Sequence, residues 1–212
     1  MKLKWRRGVV AAVALAGTRL LGASLSAPPG SSRFYGLTSG LAATWLAGGL
    51  ASGPVRRGRS TVVTPIAMAA GAFAVFYACA LVARRVPVLD RAIAGVLQYD
   101  EQGSSTLVLL TTLTNGAAEE VFFRGALYDA VGDKHPVVLS TGAYALATAA
   151  TRNPALVLAS IVMGALFGLQ RRATGGIQAP ILTHLTWSAL MLRFMRPLFI
   201  TDRVRQPRST PR

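Results

Sequence analysis

The chain is poor in cysteine and in charged residues. Its 212 residues include a single cysteine, Cys79, which excludes a disulfide framework within the chain. The surroundings of Cys79 are apolar, so we expect a small core or lipid-facing residue. Only 15% of the residues are charged, against about 25% in an ordinary soluble domain. This deficit argues against a soluble globular protein.

Apolar residues make up 52% of the chain and occur in long runs rather than in one stripe per helix. Helices that are hydrophobic nearly all round are typical of membrane spans. The sequence therefore predicts an all-α, polytopic integral membrane helix bundle with about seven spans. Such a protein would be a multi-pass protein of the cell membrane.

The net charge of +15 comes from 23 lysines and arginines against 8 aspartates and glutamates. So basic a chain often binds nucleic acid, but here the basic residues lie between the apolar runs and in the two termini. Anchoring at an anionic membrane face explains this distribution better. We therefore expect the lipid bilayer as a partner, and no nucleic acid.

Turn residues and charge divide the chain into three predicted parts. Residues 1–105 form about three membrane helices and a connecting loop, with a short interfacial helix at 89–99. Residues 106–200 form a helical core, and residues 201–212 form a disordered basic tail. The amino terminus imitates a secretory signal peptide, but Arg19 interrupts its apolar region, so we expect an uncleaved first span, with cleavage after Ala27 as the alternative.

Four helices are predicted in the core, at residues 106–131, 137–150, 154–169 and 177–193. Residues 170–176 contain Arg171, Arg172 and two glycines, and they indicate a basic turn.

Glu119, Glu120 and Arg124 stand inside the apolar run of the first core helix. Each ionised side chain near a bilayer centre costs about 3 kcal/mol on insertion scales, so three together need partners. Glu120 and Arg124 lie one helical turn apart and can form an ion pair, whereas Glu119 points about 100° away. One interpretation is an ion pair that fixes helix packing. The other is a carboxylate held in a dry site for acid/base chemistry.

The string Glu119-Glu120-x-x-x-Arg124-Gly125 resembles the first motif of the CAAX prenyl protease and bacteriocin-processing (CPBP, or Abi) family of intramembrane metalloproteases. Downstream, residues 164–188 look like the closing segment of that family, in which a helix ends in a basic Thr-Gly turn. The next helix of the family begins near Ala-Pro and carries a histidine, as Ala179, Pro180 and His184 do here. The resemblance covers residues 107–192 and implies a CAAX-protease-like core.

The chain departs from the family pattern at two positions. The second motif of the family is an aromatic residue followed four positions later by histidine, and here the pair is Tyr144 and Thr148. The third motif is histidine followed four positions later by asparagine or aspartate, and here the pair is His184 and Ser188. The other histidine, His135, stands three helical turns before Thr148 and does not replace the missing one.

The resemblance implies roles for five residues. Glu119 would be the general base that activates water, Glu120 with Arg124 a supporting ion pair, and His184 a ligand of metal or water. Ser188 would donate a hydrogen bond in place of asparagine. The family also implies zinc, held here by Glu119 and His184, although enzymic zinc usually takes three protein ligands and Thr148 supplies no imidazole. A metal-free water activated by glutamate is the alternative.

Three functions remain open at this point. The first is an intramembrane endopeptidase that acts on a membrane-associated peptide or protein near the membrane face. The second is a catalytically inactive relative that binds or regulates partner proteins, in an immunity or scaffold role. A transporter or proton path through Glu119 and Glu120 is disfavoured, because the chain is short and lacks repeated broken helices.

Overall fold

The computed structural model describes residues 3–195 and 197–199, and within these residues the regular secondary structure is all helical, with no strand. The helices α1 to α4 span Leu3–Ser24, Ser32–Ala51, Val63–Ala83 and Pro87–Gln102. Helix α5, Ser105–Glu119, continues as a π-helical segment over Glu120–Leu127 and a short α6, Tyr128–Ala130. The helices α7, α8 and α9 span Pro136–Ala149, Pro154–Thr174 and Gln178–Phe194. The predicted all-α class is confirmed.

The helices pack as neighbouring pairs around α5 and its π-helical continuation. Helix α1 lies along α2, α7 along α8, and α3 along α9, while α2 and α9 both contact α5. Predicted helix at residues 89–99 corresponds to α4, whose Pro87 occupies the first turn, where a missing N–H costs nothing.

The largest core cluster joins the amino-terminal helices to the segment that follows Glu119. Trp45 of α2 is fully buried against Phe122 and Phe123, with ring centroids 4.6 and 5.0 Å away. Gly17 of α1 packs directly on the Trp45 ring, which a β-carbon at that position would overlap. Small residues let membrane helices approach this closely. The two predicted parts, residues 1–105 and 106–200, therefore share one core.

Two of the described helices are long and apolar enough to cross a membrane, Val63–Ala83 and Pro154–Thr174. Helix α3 reaches a mean hydropathy of 2.2, yet only 11% of that window is buried inside the protein. So large an exposed apolar surface fits lipid rather than water. Cys79 lies on its exposed surface. The count of about seven spans stays a prediction, since the other described helices are shorter or more polar by the same criterion.

Helix α8 is longer than predicted, because residues 170–174 are helical rather than part of a turn. Two of the polar side chains in this stretch, those of Gln170 and Arg171, are buried and paired, whereas Arg172 is exposed. Gln170 Nε2 donates to the Thr183 hydroxyl at 2.7 Å, and Arg171 donates to the Arg124 carbonyl and to Asp129 at 2.9 and 3.0 Å. The helix ends instead at Gly175, whose φ of 73° is the left-handed conformation common at helix ends. Residues 201–212, predicted to form a disordered tail, lie outside the described residues.

Candidate active site

A cavity of about 300 Å³ opens between the helices beside the two glutamates. Residues of α1, α2, α4, α5, α7, α8 and α9 line it, and most of the lining surface is apolar. Among its polar lining residues are Asn115, Glu119, Tyr144, Thr148, His184 and Ser188. Three of the residues predicted from the sequence, Glu119, His184 and Ser188, thus face one space although they belong to two different helices.

Glu119 is the last residue of α5 and is partly exposed to the cavity. Its Oε2 accepts a hydrogen bond of 2.7 Å from the Tyr144 hydroxyl on α7. No described residue bonds its Oε1, so one oxygen of this carboxylate is held and the other is free.

Glu120 begins the π-helical segment and turns away from the cavity into the protein, where its side chain exposes no surface. Its Oε1 accepts a hydrogen bond of 3.1 Å from Arg124 Nη1, the ion pair that the four-residue spacing predicted. Arg124 is also fully buried and donates through Nη2 to the Gly164 carbonyl at 3.1 Å. Its guanidinium lies 4.8 Å from the Tyr144 ring centroid and 5.1 Å from that of Phe167, within cation–π range.

His184 of α9 contacts Glu120 directly, with Nδ1 2.9 Å from Glu120 Oε1. A carboxylate paired with arginine is an acceptor, so Nδ1 carries a proton and donates it. The ring stacks on Phe167 with centroids 4.8 Å apart and 21° between planes. The Nε2 edge passes over Gly116 of α5, where a β-carbon would lie 3.4 Å from Nε2 and 3.3 Å from Cδ2. No described residue bonds Nε2, which leaves it to the cavity.

Ser188 and Thr148 differ in what their hydroxyls offer. Ser188 lies one turn beyond His184, is 6% exposed, and has no hydrogen-bond partner among the described residues. The Thr148 hydroxyl instead donates to the Tyr144 carbonyl of its own helix at 2.9 Å. The position of the second motif therefore contributes a lining methyl group and a hydroxyl that is already engaged.

The side chains beside the cavity do not fit the zinc that the family resemblance implies. Glu119 Oε1 and His184 Nε2 are the two strong donors left for a metal at the cavity, because Glu120 is fully buried and does not line it. No group of three or more histidine, cysteine, aspartate or glutamate side chains in the described part of the chain could hold a metal ion. His135, exposed and left-handed at φ 54° before α7, does not line the cavity. Two protein donors fall short of the usual three.

Sequence reasoning predicts the pairing of Glu120 with Arg124, but it does not identify the hydrogen-bond partners of Glu119 and His184. Tyr144 was singled out only as the aromatic position of the second motif, and nothing in the spacing showed that its hydroxyl reaches Glu119. Asn115 was also missed, although it precedes Glu119 by one helical turn. Its amide donates to the Thr38 and Thr111 carbonyls at 3.2 and 2.8 Å.

The family model described as type II CAAX prenyl endopeptidase Rce1-like matches residues 101–190. The match runs from the end of α4 through most of α9, and so includes Glu119, Tyr144, Thr148, His184 and Ser188. No curated protein and no solved structure matched the chain. Residues 101–190 of the chain are therefore similar to the membrane-embedded family of type II CAAX prenyl endopeptidases that is described as Rce1-like, and this match supports membership of that family.

Proposed function

We propose that this protein is a multi-pass intramembrane endopeptidase of the cell membrane, in which a water activated by Glu119 hydrolyses a peptide bond near the membrane face. One observation carries the proposal. The free oxygen of Glu119, the free Nε2 of His184 and the unpaired hydroxyl of Ser188 belong to side chains that line the same cavity.

The chemistry follows from what each group can donate or accept. A water held by Glu119 Oε1 and His184 Nε2 loses a proton to Glu119 as its oxygen adds to the carbonyl carbon of the peptide. The carbonyl oxygen gains negative charge, and the Ser188 hydroxyl donates a hydrogen bond toward it. Glu119 then passes its proton to the departing amine nitrogen as the C–N bond breaks. The step needs no metal, and the two protein donors beside the cavity are too few to hold zinc.

The buried ion pair of Glu120 and Arg124 holds the side chains of the site in position. Glu120 fixes the His184 ring through Nδ1, and Phe167 stacks on its face, so that Nε2 stays directed at the cavity. Arg124 compensates the charge of Glu120 in a place without water. A histidine that a carboxylate holds through one ring nitrogen presents its other nitrogen in a fixed orientation.

The proposed substrate is a membrane-associated peptide or protein. The mostly apolar cavity lining would accept apolar side chains and exclude bulk water, which strengthens the electrostatic interactions inside. Helices α3 and α8 would span the bilayer, with the remaining apolar helices completing about seven spans.

An inactive relative that binds or regulates partner proteins, in an immunity or scaffold role, is the second candidate. The hydroxyl of Thr148 favours it, because this group is bonded within its own helix and leaves the second-motif position without a free ligand.

Terminomics of the membrane proteome separates the two candidates. Cells expressing the wild-type protein are compared with cells expressing Glu119→Gln, which keeps the shape of the side chain and removes the base. Asp90→Asn, a similar change on α4, is the matched control. The endopeptidase predicts new peptide termini in the wild type and the control that are absent from Glu119→Gln. Identical termini in all three at equal expression would favour the inactive relative.

A further inference from the structure

The side chain that holds Glu119 in place is a tyrosine of α7. The Tyr144 hydroxyl donates to Glu119 Oε2 at 2.7 Å, a short bond typical of a hydroxyl bound to a carboxylate. Tyr144 stands where the family has the aromatic residue of its second motif, and that motif's histidine position is Thr148. The hydrogen bond to Glu119 is thus made by the first position of the second motif, Tyr144, and not by its last position, Thr148.

We infer that Tyr144 is a positioning residue for Glu119. The inference rests on the proposed hydrolysis for its use, but the contact itself stands on geometry. With Oε2 held by the phenol, Oε1 is the oxygen left to take a proton from water. Tyr144 therefore determines which oxygen of the Glu119 carboxylate reacts.

The surroundings of Tyr144 leave its ring little freedom. The Arg124 guanidinium lies 4.8 Å from the ring centroid, and the Phe123 ring lies 4.9 Å away on another side. A cation over the ring also makes the phenol a stronger hydrogen-bond donor, since it draws electron density from the ring. The ion pair of the first motif thus reaches Glu119 indirectly, through the tyrosine.

Thr148 does not share this task. Its hydroxyl proton is donated to the Tyr144 carbonyl, one turn back on α7. Among the described side chains, Tyr144 is the one that bonds Glu119. Removal of the phenol oxygen should therefore affect Glu119, whereas removal of the Thr148 hydroxyl should not.

Labelling with dicyclohexylcarbodiimide tests the contact without any substrate. This apolar reagent modifies protonated carboxyl groups in membranes, and peptide mass spectrometry locates and quantifies the product. The wild type, Tyr144→Phe and Thr148→Ala are labelled at pH 7 as intact proteins in lipid nanodiscs. Loss of the donor destabilises the charged form of the carboxylate, so we expect about tenfold faster labelling of Glu119 in Tyr144→Phe. The Thr148→Ala protein should label as the wild type does.

The outcomes separate this role from a merely structural one. Equal labelling of Glu119 in the wild type and Tyr144→Phe would overturn the inference. Simultaneous labelling of the buried Glu120 would also overturn it, because it would show that the site had opened. With a cleaved substrate in hand, Tyr144→Phe should lower kcat about tenfold and leave KM unchanged. If neither the wild type nor any variant cleaves a peptide, the proposed hydrolysis fails, and the labelling ratio still decides the role of Tyr144.

Discussion

Replacement of Arg124 by leucine is the sharpest test of how the site is built. The change keeps most of the buried volume but removes the cation that neutralises Glu120. Neither side chain of this pair exposes any surface, so water cannot replace the lost partner. Glu120 would keep a single charged or polar contact, the one to His184 Nδ1 at 2.9 Å.

The expected loss of stability can be worked from these contacts. Leaving one member of a buried ion pair uncompensated costs about 3–5 kcal/mol. The Gly164 carbonyl loses one donor as well, but it lies inside α8 and keeps its helical hydrogen bond, so this loss adds about 1 kcal/mol at most. We therefore expect Arg124→Leu to lower the free energy of unfolding by about 4 kcal/mol.

The double variant Glu120→Leu with Arg124→Leu should be less destabilised than Arg124→Leu alone. Replacement of both members of a buried pair by apolar residues is often close to neutral. Here His184 also loses its acceptor, so part of the cost remains. A double-mutant cycle over the pair should give a coupling energy of about 2 kcal/mol or more.

Unfolding by dodecyl sulfate titration in mixed micelles measures these energies. Tryptophan fluorescence can follow it, since Trp45 is fully buried against Phe122 and Phe123. The control is Arg172→Leu, an exposed arginine of α8, and surface changes of this kind stay within about 0.5 kcal/mol. A loss below about 1 kcal/mol for Arg124→Leu would refute the reasoning, because the pair would then be hydrated or unimportant.

Three further predictions concern the cavity. Gly116→Ala places a β-carbon 3.3 Å from the ring of His184, and Phe167 and Glu120 prevent that ring from moving away. The rate of peptide cleavage should therefore fall about tenfold, with little change in the free energy of unfolding. Gly142→Ala, where a β-carbon meets nothing within 4 Å, is its control, and equal rates for the two variants would contradict the expectation. Thr148→His restores the family pattern and should make the purified protein bind zinc more tightly than the wild type, as measured by metal analysis after dialysis. Treatment with a chelator should leave cleavage by the wild type unchanged, and loss of activity that zinc restores would show that the donor set had been misjudged.

Local spacing predicted the contacts within the first motif. Glu120 and Arg124 are four residues apart, and two ionisable groups in an apolar helix have few other partners, so their pairing follows from the sequence alone. Contacts between helices did not follow. Tyr144 reaches Glu119 from 25 residues away, and His184 reaches Glu120 from 64, so both depend on how the helices pack. The resemblance puts His184 together with Glu119 as ligands of zinc or water, whereas the direct hydrogen bond of His184 is to Glu120.

The end of α8 shows why polar residues misled the sequence prediction. Arginines and glutamine after an apolar run normally mark a turn at the membrane surface. Here Gln170 bonds Thr183, and the Thr183 hydroxyl donates in turn to the Pro65 carbonyl at 3.1 Å, which joins α8, α9 and the start of α3. Polar side chains that find partners inside the protein extend a helix, and one-dimensional patterns do not reveal those partners.

The transition from α-helix to π-helix falls between Glu119 and Glu120. Short π-helical segments inside α-helices are frequent at functional sites. Adjacent helical residues point about 100° apart, so two acids joined by one peptide bond lie in different surroundings, Glu119 beside the cavity and Glu120 inside the protein. Glu119 is accessible to a proton, reagent or substrate that enters the cavity, whereas Glu120 contacts only the protein. The reaction with molecules in the cavity thus depends on Glu119, and the packing of the helices depends on Glu120. A substitution at one of these residues cannot be compensated by the other.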